Sequence, residues 1–183
     1  MSLIYLARHG ETDDNAPHAR VMGSIDSPVN ETGREQARAL GREAAGRGLA
    51  ALYTSHLARA RETAALVGDA VGLEPVVDER LAESNRGRWE GRLVDDIRRE
   101  EPDAWDAWMR ADGDFEFPEG ESLAAHCRRV AAALRDARAG PLPALVVCHG
   151  GSIRCAFAAR HADGLASFHE LAVPNATLME LPG

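Results

Sequence analysis

Two histidines in this sequence stand in the same local setting. His9 follows the apolar run Leu3-Ile4-Tyr5-Leu6-Ala7 and Arg8, His149 follows Ala144-Leu145-Val146-Val147-Cys148, and each is followed by glycine, Gly10 and Gly150. Short continuous apolar runs of this kind suit buried strands. In parallel sheets, ligands bind at the carboxyl ends of the strands. If the two strands are neighbours, both imidazoles open onto one crevice. The glycines then allow close backbone approach, and the next helix offers free N–H groups to an anion. Such a site suits a phosphate-bearing ligand. One histidine of this type is better explained by satisfying a turn; the repetition is what argues for a site.

The elements that must carry these residues alternate along the chain. After a polar stretch with Pro17, Gly23 and Pro28, the pattern from Asn30 to about Arg47 predicts a helix ending at Gly46 and Gly48. A strand at Ala50 to Tyr53 follows, and Thr54 and Ser55 read as caps for a helix from Leu57 to Val71 closed by Gly72. Pro75-Val76-Val77 is a short strand, and residues 79 to 92, around Glu83 and Trp89, have no clear period and read as a loop. Two modest helices flank Pro102, the second bearing Trp105, Trp108 and Met109, before a loop over 112–121. A helix from Ser122 to about Arg138, the strand at 144–148, a helix from about Ser152 to Ala162 and a strand near Ala176 to Leu181 complete the order. The expectation is an α/β fold with a mostly parallel central sheet and helices on both faces. It forms one domain over 1–183, with a small helical and loop cap insertion at about 92–122.

Composition narrows the function classes. A chain of 183 residues fits one domain, and 45% hydrophobic with 27% charged residues is ordinary for a soluble protein. No apolar run reaches the ~18 residues of a membrane span, and the first residues lack the pattern of a signal peptide, so a cytoplasmic location is expected. The 29 acidic against 21 basic residues, net −8, argue against a broad nucleic-acid or anionic-membrane surface. All 21 basic residues are arginine. Without lysine, Schiff-base chemistry and the lysine-dependent phosphate loop are excluded. Cys127, Cys148 and Cys155 are odd in number with no Cys-x-x-Cys pair, which predicts reduced thiols.

Read in order, several motifs carry a resemblance. Arg8-His9-Gly10-Glu11-Thr12 with Asn15 comes first, then Gly23, Asp26, Pro28 and Gly33 to Ala37, then Thr54-Ser55-His56-Leu57-Ala58-Arg59-Ala60. Leu81-Ala82-Glu83 with Gly87-Arg88-Trp89-Glu90-Gly91, then Gly120-Glu121-Ser122 and Cys148-His149-Gly150-Gly151, complete the set. Together they resemble the histidine phosphatase superfamily in its phosphoglycerate-mutase-like branch, over nearly the whole chain. The resemblance implies that His9 is the nucleophile and forms a phosphohistidine. It implies that Arg8, Arg59 and His149 hold the phosphoryl oxygens with Asn15 and Gly150, and that Glu83 protonates the leaving alcohol and then activates water. It further implies a small phosphorylated metabolite as substrate, with no metal and no cofactor; monomer and homodimer both stay open.

The residue types suit those roles. A planar guanidinium presents paired donors that match phosphate oxygens and can stabilise transition-state charge without reorganising. An ordinary carboxyl titrates near ~4.3 and histidine near ~6.5, yet His9 must start neutral and Glu83 protonated. The arginines should lower His9, and a partly desolvated loop beside phosphate dianion should raise Glu83.

Other readings compete. Cys148 to Arg154 has the Cys-x5-Arg spacing of cysteine-dependent phosphatases, although 21 arginines in 183 positions make that spacing common by chance. A metal hydrolase could use His9, His149 and Glu11 or Asp13. A non-catalytic anion- or partner-binding module on the same fold is a third reading. Within the family, phosphoryl transfer of the phosphoglycerate mutase type competes with hydrolysis. Hydrolysis is preferred because only about thirty residues separate Gly91 from Glu121, where the mutases carry a longer insertion. Leu81 to Gly91 resembles the family's acid loop, but Asn85-Arg86 lacks the aromatic residue often found there before the glycine, here Gly87. Specificity is expected in residues 92–122, with sugar phosphates, phosphoglycerate, nucleotides and α-ribazole phosphate as candidates. Arg59 has an alternative as an exposed helix arginine, and of Glu79, Glu83 and Glu90 only the resemblance singles out Glu83. Glu11 reads as a cap or arginine partner, and Trp105, Trp108 and Phe115 as core or lid packing. His18, His56, His126, His161 and His169 read as surface or packing residues.

Overall fold

A computed structural model describes residues 3–15 and 20–181. Its strands are β1 (Ile4–Arg8), β2 (Ala51–Thr54), β3 (Val76–Val77), β4 (Ala144–Cys148) and β5 (Leu178–Leu181). Its helices are α1 (Glu31–Ala45), α2 (Ala58–Val71), α3 (Val94–Glu100), α4 (Pro102–Met109), α5 (Leu123–Ala139) and α6 (Gly150–Ala158). The strands form one sheet in the order β3-β2-β4-β1-β5, in which β5 runs antiparallel to β1 and every other pairing is parallel.

Alternation along the strands sends successive side chains to opposite faces. Tyr5, Ala7, Leu52, Leu145 and Val147 pack on one face against Leu40 and Ala44 of α1 and Ala60, Ala64 and Val67 of α2. Ile4, Leu6, Ala144 and Val146 pack on the other, with Val130 and Leu134 of α5 and Ile153 of α6. Fully covered strands explain why their sequences read as unbroken apolar runs. The same second face continues into an aromatic cluster in which Trp89, Trp108, Phe115 and Phe117 are buried ring against ring.

Several local expectations change. Ser55 does not cap α2; Leu57 stands at its N-cap without a side-chain bond, and Asp26 Oδ1 instead accepts from Ala58 N at 2.7 Å. A distant carboxylate does the work of a local cap. The 79–92 segment contains two short 3-10 turns, Glu79–Leu81 and Gly87–Trp89. The last helix starts at Gly150 and stops at Ala158, and the last strand begins at Leu178. Cys127 and Cys155 form a disulfide, which overturns the expectation of three reduced thiols. Their spacing of 28 residues carries no signal; packing of α5 beside α6 on one sheet face brings the pair together.

Candidate active site

Strand register sets the core of the site. Arg8 of β1 pairs with Cys148 of the adjacent parallel strand β4, so His9 and His149 leave the sheet at the same height. Their ring centroids are 5.2 Å apart. The backbone of His9 is held from three sides. Its N–H donates to Cys148 O at 3.0 Å, its carbonyl accepts from Asn175 Nδ2 at 2.8 Å, and the next N–H, of Gly10, donates to Thr63 Oγ1 at 2.9 Å. Gly10 itself is required by backbone contact: a Cβ there would meet Gly33 O at 2.4 Å. The glycine thus lets the strand end seat against the start of α1.

His9 Nδ1 donates to Gly10 O at 2.7 Å, which fixes the tautomer and leaves the Nε2 lone pair free. Burial, reinforced by the charges of Arg59 and Arg8, lowers its pKa to about 3, so the ring is neutral at any physiological pH. His149 Nε2 lies 2.9 Å from Ser55 Oγ, which also accepts from Leu57 N. The serine hydroxyl is satisfied as a donor if it points at Nε2. His149 then carries its proton on Nδ1, a buried atom without a hydrogen-bond partner among the described residues. Arg8 Nε is a second buried donor of this kind. Both await an acceptor that an anion would supply.

Arg59 is buried on the first turn of α2, not exposed, and its Nη1 and Nη2 donate to Ile25 O and Gly23 O at 2.7 and 2.8 Å. Arg8 Nη1 is anchored on Val173 O at 3.1 Å. Anchored in this way, the two guanidiniums need little reorganisation to bind an anion.

Glu83 lies against the start of α6, with Oε2 accepting from Gly151 N at 3.0 Å. A Cβ on Gly151 would meet Glu83 Oε1 at 2.2 Å, so glycine at this position makes room for the carboxylate. Burial alone would raise the pKa of Glu83, but Arg86, His126, His149 and the Gly151 N–H more than offset it and hold the carboxyl well below its ordinary range. Burial holds His126 at about 4 and His149 also well below its usual value, so neither imidazole brings a charge to Glu83 at neutral pH. The expected rise of Glu83 is for a site holding phosphate dianion; without the anion, desolvation loses to the neighbouring positive charge and an aligned N–H.

Arg8, His9, Arg59, Glu83 and Gly150 line one cavity of about 280 Å³, together with Arg20, Val21, Met22, Gly23, Arg86, Val94, Gly151, Arg154 and Val173. His149, its ring 5.2 Å from that of His9, is fully buried. Asn15 ends a 3-10 turn, Asp13–Asn15, but its side chain lies outside the described residues, as does all of His18. Of the 92–122 segment, Val94 alone is among the described residues lining the cavity. Residues 20–23, Arg86 and Arg154 supply more of the lining.

Several positioning residues had no clear sequence signal. Arg129 on α5 donates to the carbonyls of Arg80, Ala82 and Glu83 at 2.6–2.9 Å and pairs with Glu121, fastening the loop that carries Glu83. His126, read as surface or packing, is buried with Nε2 3.1 Å from Ser152 Oγ and 3.8 Å from Glu83 Oε1. Thr63, one helical turn after Arg59, binds Arg59 O and Gly10 N, a relation the i, i+4 spacing would allow but not announce. Glu11 Oε1 accepts from Asn30 Nδ2 at 3.0 Å, so its partner is the N-cap residue of α1 and not an arginine.

Cys148 is buried in the core with its thiol pushed up to about 12 by burial, unfit to serve as a thiolate nucleophile. Cys148→Ser should therefore retain phosphate-ester hydrolysis within about threefold, measured as initial rates; abolished turnover with an intact fold would revive the cysteine reading. Among the described residues, no group of three or more His, Cys, Asp and Glu side chains is placed to hold a metal ion. No described helix is long and apolar enough to cross a membrane.

A family model described as the histidine phosphatase superfamily (branch 1) matches residues 4–182. A probable phosphoglycerate mutase, GpmB, of Yersinia pestis is 37% identical over 158 residues, covering 85% of this chain and 73% of that protein. Among solved structures, Bacillus stearothermophilus YhfR superposes with TM-score 0.88 at 32% identity, over 98% of this chain and 90% of the other. A mycobacterial glucosyl-3-phosphoglycerate phosphatase bound to VO3 superposes with TM-score 0.85 at 30% identity, over the same shares of the two chains.

Proposed function

The chain belongs to the histidine phosphatase superfamily, branch 1, and from that premise we propose that it hydrolyses small phosphomonoesters through a phosphohistidine on His9. The observation that carries the proposal is convergence: a neutral imidazole with a free Nε2, two anchored guanidiniums and a buried carboxylate around one cavity. Nε2 attacks phosphorus as the ester oxygen departs, while Arg8, Arg59 and His149 Nδ1–H receive the charge on the phosphoryl oxygens. Glu83 transfers a proton to the leaving oxygen. As a carboxylate it then takes a proton from the water that attacks the phosphohistidine, returning His9 and releasing phosphate.

Glu83 is ionised in the free site, so its proton must arrive with substrate. A monoanionic ester beside a carboxylate carries the same total protonation as a dianion beside a carboxylic acid, and the like charge of the dianion favours proton transfer to Glu83. Rates on alkyl phosphates should thus fall as pH rises and this shared proton is lost.

Replacing Arg59 with alanine should cost roughly 10²- to 10³-fold in turnover, by analogy with removing one preorganised donor. The change should appear in kcat with an intact melting transition; a kcat within threefold of the parent would remove Arg59 from the phosphoryl site. Exhaustive chelation should leave activity unchanged, and metal-restorable loss would favour the hydrolytic-metal reading instead.

The similarity to a probable phosphoglycerate mutase keeps phosphoryl transfer as the second reading. A panel of phosphorylated metabolites, assayed for free phosphate and for isomerised phosphoester together, separates the two. Phosphate release abolished by His9→Ala supports hydrolysis. Isomerised product with little free phosphate would replace it by the mutase reading.

A further inference from the structure

The loop that carries Glu83 is gripped by two helices. From α5, Arg129 donates to the carbonyls of Arg80, Ala82 and Glu83. From α6, Gly151 N donates to Glu83 Oε2 at 3.0 Å, and Ser152 Oγ lies 3.2 and 3.1 Å from Leu81 O and Ala82 O. Facing two carbonyls, the Ser152 hydroxyl donates its one proton to them, so its oxygen accepts from His126 Nε2–H at 3.1 Å. That last bond runs from α5 to α6 and closes the grip behind the acid. The seat of Glu83 thus depends on how the two helices lie against each other.

The Cys127–Cys155 disulfide joins these same helices, where their Cα atoms are 5.0 Å apart. Cys127 directly follows His126 and stands two positions before Arg129, and Cys155 follows Gly151 and Ser152 by four and three positions. The cross-link therefore lies within about one helical turn of every residue of the grip. Its two sulfurs differ in setting. Cys127 is half-buried, whereas Cys155 is buried and lines a cavity of about 120 Å³ with Arg135, Arg138 and Arg160. An incoming thiolate reaches the more exposed sulfur, and guanidiniums around the other favour its departure as a thiolate.

We propose that Cys127–Cys155 is a reversible redox modification site that exchanges with small dithiols, and that opening it loosens the seat of Glu83 and slows the steps that need this carboxyl. The consequence for rate rests on the reading of Glu83 as the acid–base group; the exchange itself does not. A thiolate of the dithiol attacks Cys127 Sγ, the bond between the two sulfurs breaks, and Cys155 leaves as a thiolate that takes up a proton. The second thiol of the reagent then displaces Cys127 from the mixed disulfide. Two electrons and two protons pass to the protein, and the reagent departs as a cyclic disulfide. Oxidised dithiol reverses the sequence. Cys148, buried in β4, takes no part. Val130, Leu134, Ile153 and Ala156 pack in one core cluster without help from the cross-link, so the reduced protein should keep its fold.

The test titrates the native protein with dithiothreitol and traps thiols by alkylation for mass spectrometry. Labels on Cys127 and Cys155 should appear without denaturant and disappear after oxidised dithiothreitol is added. A pair that opens only in denaturant, or that is already reduced in protein purified under air, overturns the site. In the reduced protein, amide hydrogen exchange over residues 79–92 should quicken at least about threefold while that of β1 and β4 holds. Hydrolysis of an alkyl phosphate should fall at least about fivefold and recover on reoxidation. First-turnover release of nitrophenol from p-nitrophenyl phosphate, which needs no proton from Glu83, should change less than about twofold. The Cys127→Ser/Cys155→Ser double variant should show the low rate on alkyl phosphate with or without reductant.

Unchanged exchange over 79–92, unchanged alkyl phosphate hydrolysis in an active protein, or equal losses on both substrates overturns the coupling. Quickened exchange in a protein that releases phosphate from no ester in either redox state would instead overturn the phosphatase reading and leave the redox coupling standing.

Discussion

His9→Ala is expected to lower phosphomonoester hydrolysis by roughly 10⁴-fold or more, and to abolish labelling of the protein by a phosphoryl donor. Alanine leaves no nucleophile at the carboxyl end of β1, and the other histidine cannot replace it. His149 Nε2 is engaged with Ser55, and the ring is fully buried. The substitution should be structurally mild, because the backbone contacts that hold this strand end are made by main-chain atoms of residues 9 and 10. Rapid-quench labelling followed by acid and alkali treatment gives the readout: a phosphohistidine is lost in acid and survives alkali. A label of that stability persisting in His9→Ala would place the nucleophile elsewhere, whereas failure to label the parent protein with any donor would favour the non-catalytic reading.

Glu83→Gln should divide the two chemical steps. On an alkyl phosphate, where the departing alkoxide needs a proton, the loss should be about 10²- to 10⁴-fold. On p-nitrophenyl phosphate, whose leaving group departs unaided, phosphorylation of His9 should be largely spared and hydrolysis of the phosphoenzyme slowed. The outcome is a burst of nitrophenol near one equivalent followed by a slow steady state. Glutamine keeps one oxygen to accept from Gly151 N–H, so the loop geometry should persist. The pH dependence carries the sign of the argument. Arg86 and the Gly151 N–H favour the ionised form in the free site, so the proton for the alcohol is lost as pH rises, and the parent rate on alkyl phosphates should fall toward alkaline pH. That limb should vanish in Glu83→Gln. An unchanged profile, or equal losses on both substrates, would remove Glu83 from proton transfer.

The histidines and arginines of the site differ in how visible they are along the chain. His9 and His149 stand out because a buried strand must be apolar on both faces, so a histidine terminating such a run is conspicuous without any fold in hand. Arg59 is one of 21 arginines, and the chain alone does not separate it from a solvated helix residue. Its burial and its bonds to Gly23 O and Ile25 O arise from a loop 34 to 36 residues away. Arg129 and His126 are hidden for the same reason: both lie on α5, whose spacing marks it only as an amphipathic helix, and their partners lie in the acid loop. Arg86 was visible only as an anomaly, an arginine in an aromatic position. The disulfide was not visible at all.

What the chain by itself determined is a set of residue types and the order of the elements: strand-end imidazoles followed by glycine, an arginine-only cation set, and apolar periods that alternate between strand and helix. These are local properties, set by residue type and by spacings of a few positions. Only the tertiary structure decided the ionisation of Glu83, the burial of Arg59 and the gathering of guanidiniums around the cavity. A pKa, a desolvation cost and a field each depend on groups brought close through space, here from β1, β4, α2, α5, α6 and the acid loop, and the distances between those groups are set by the packing of the sheet and its two helical layers.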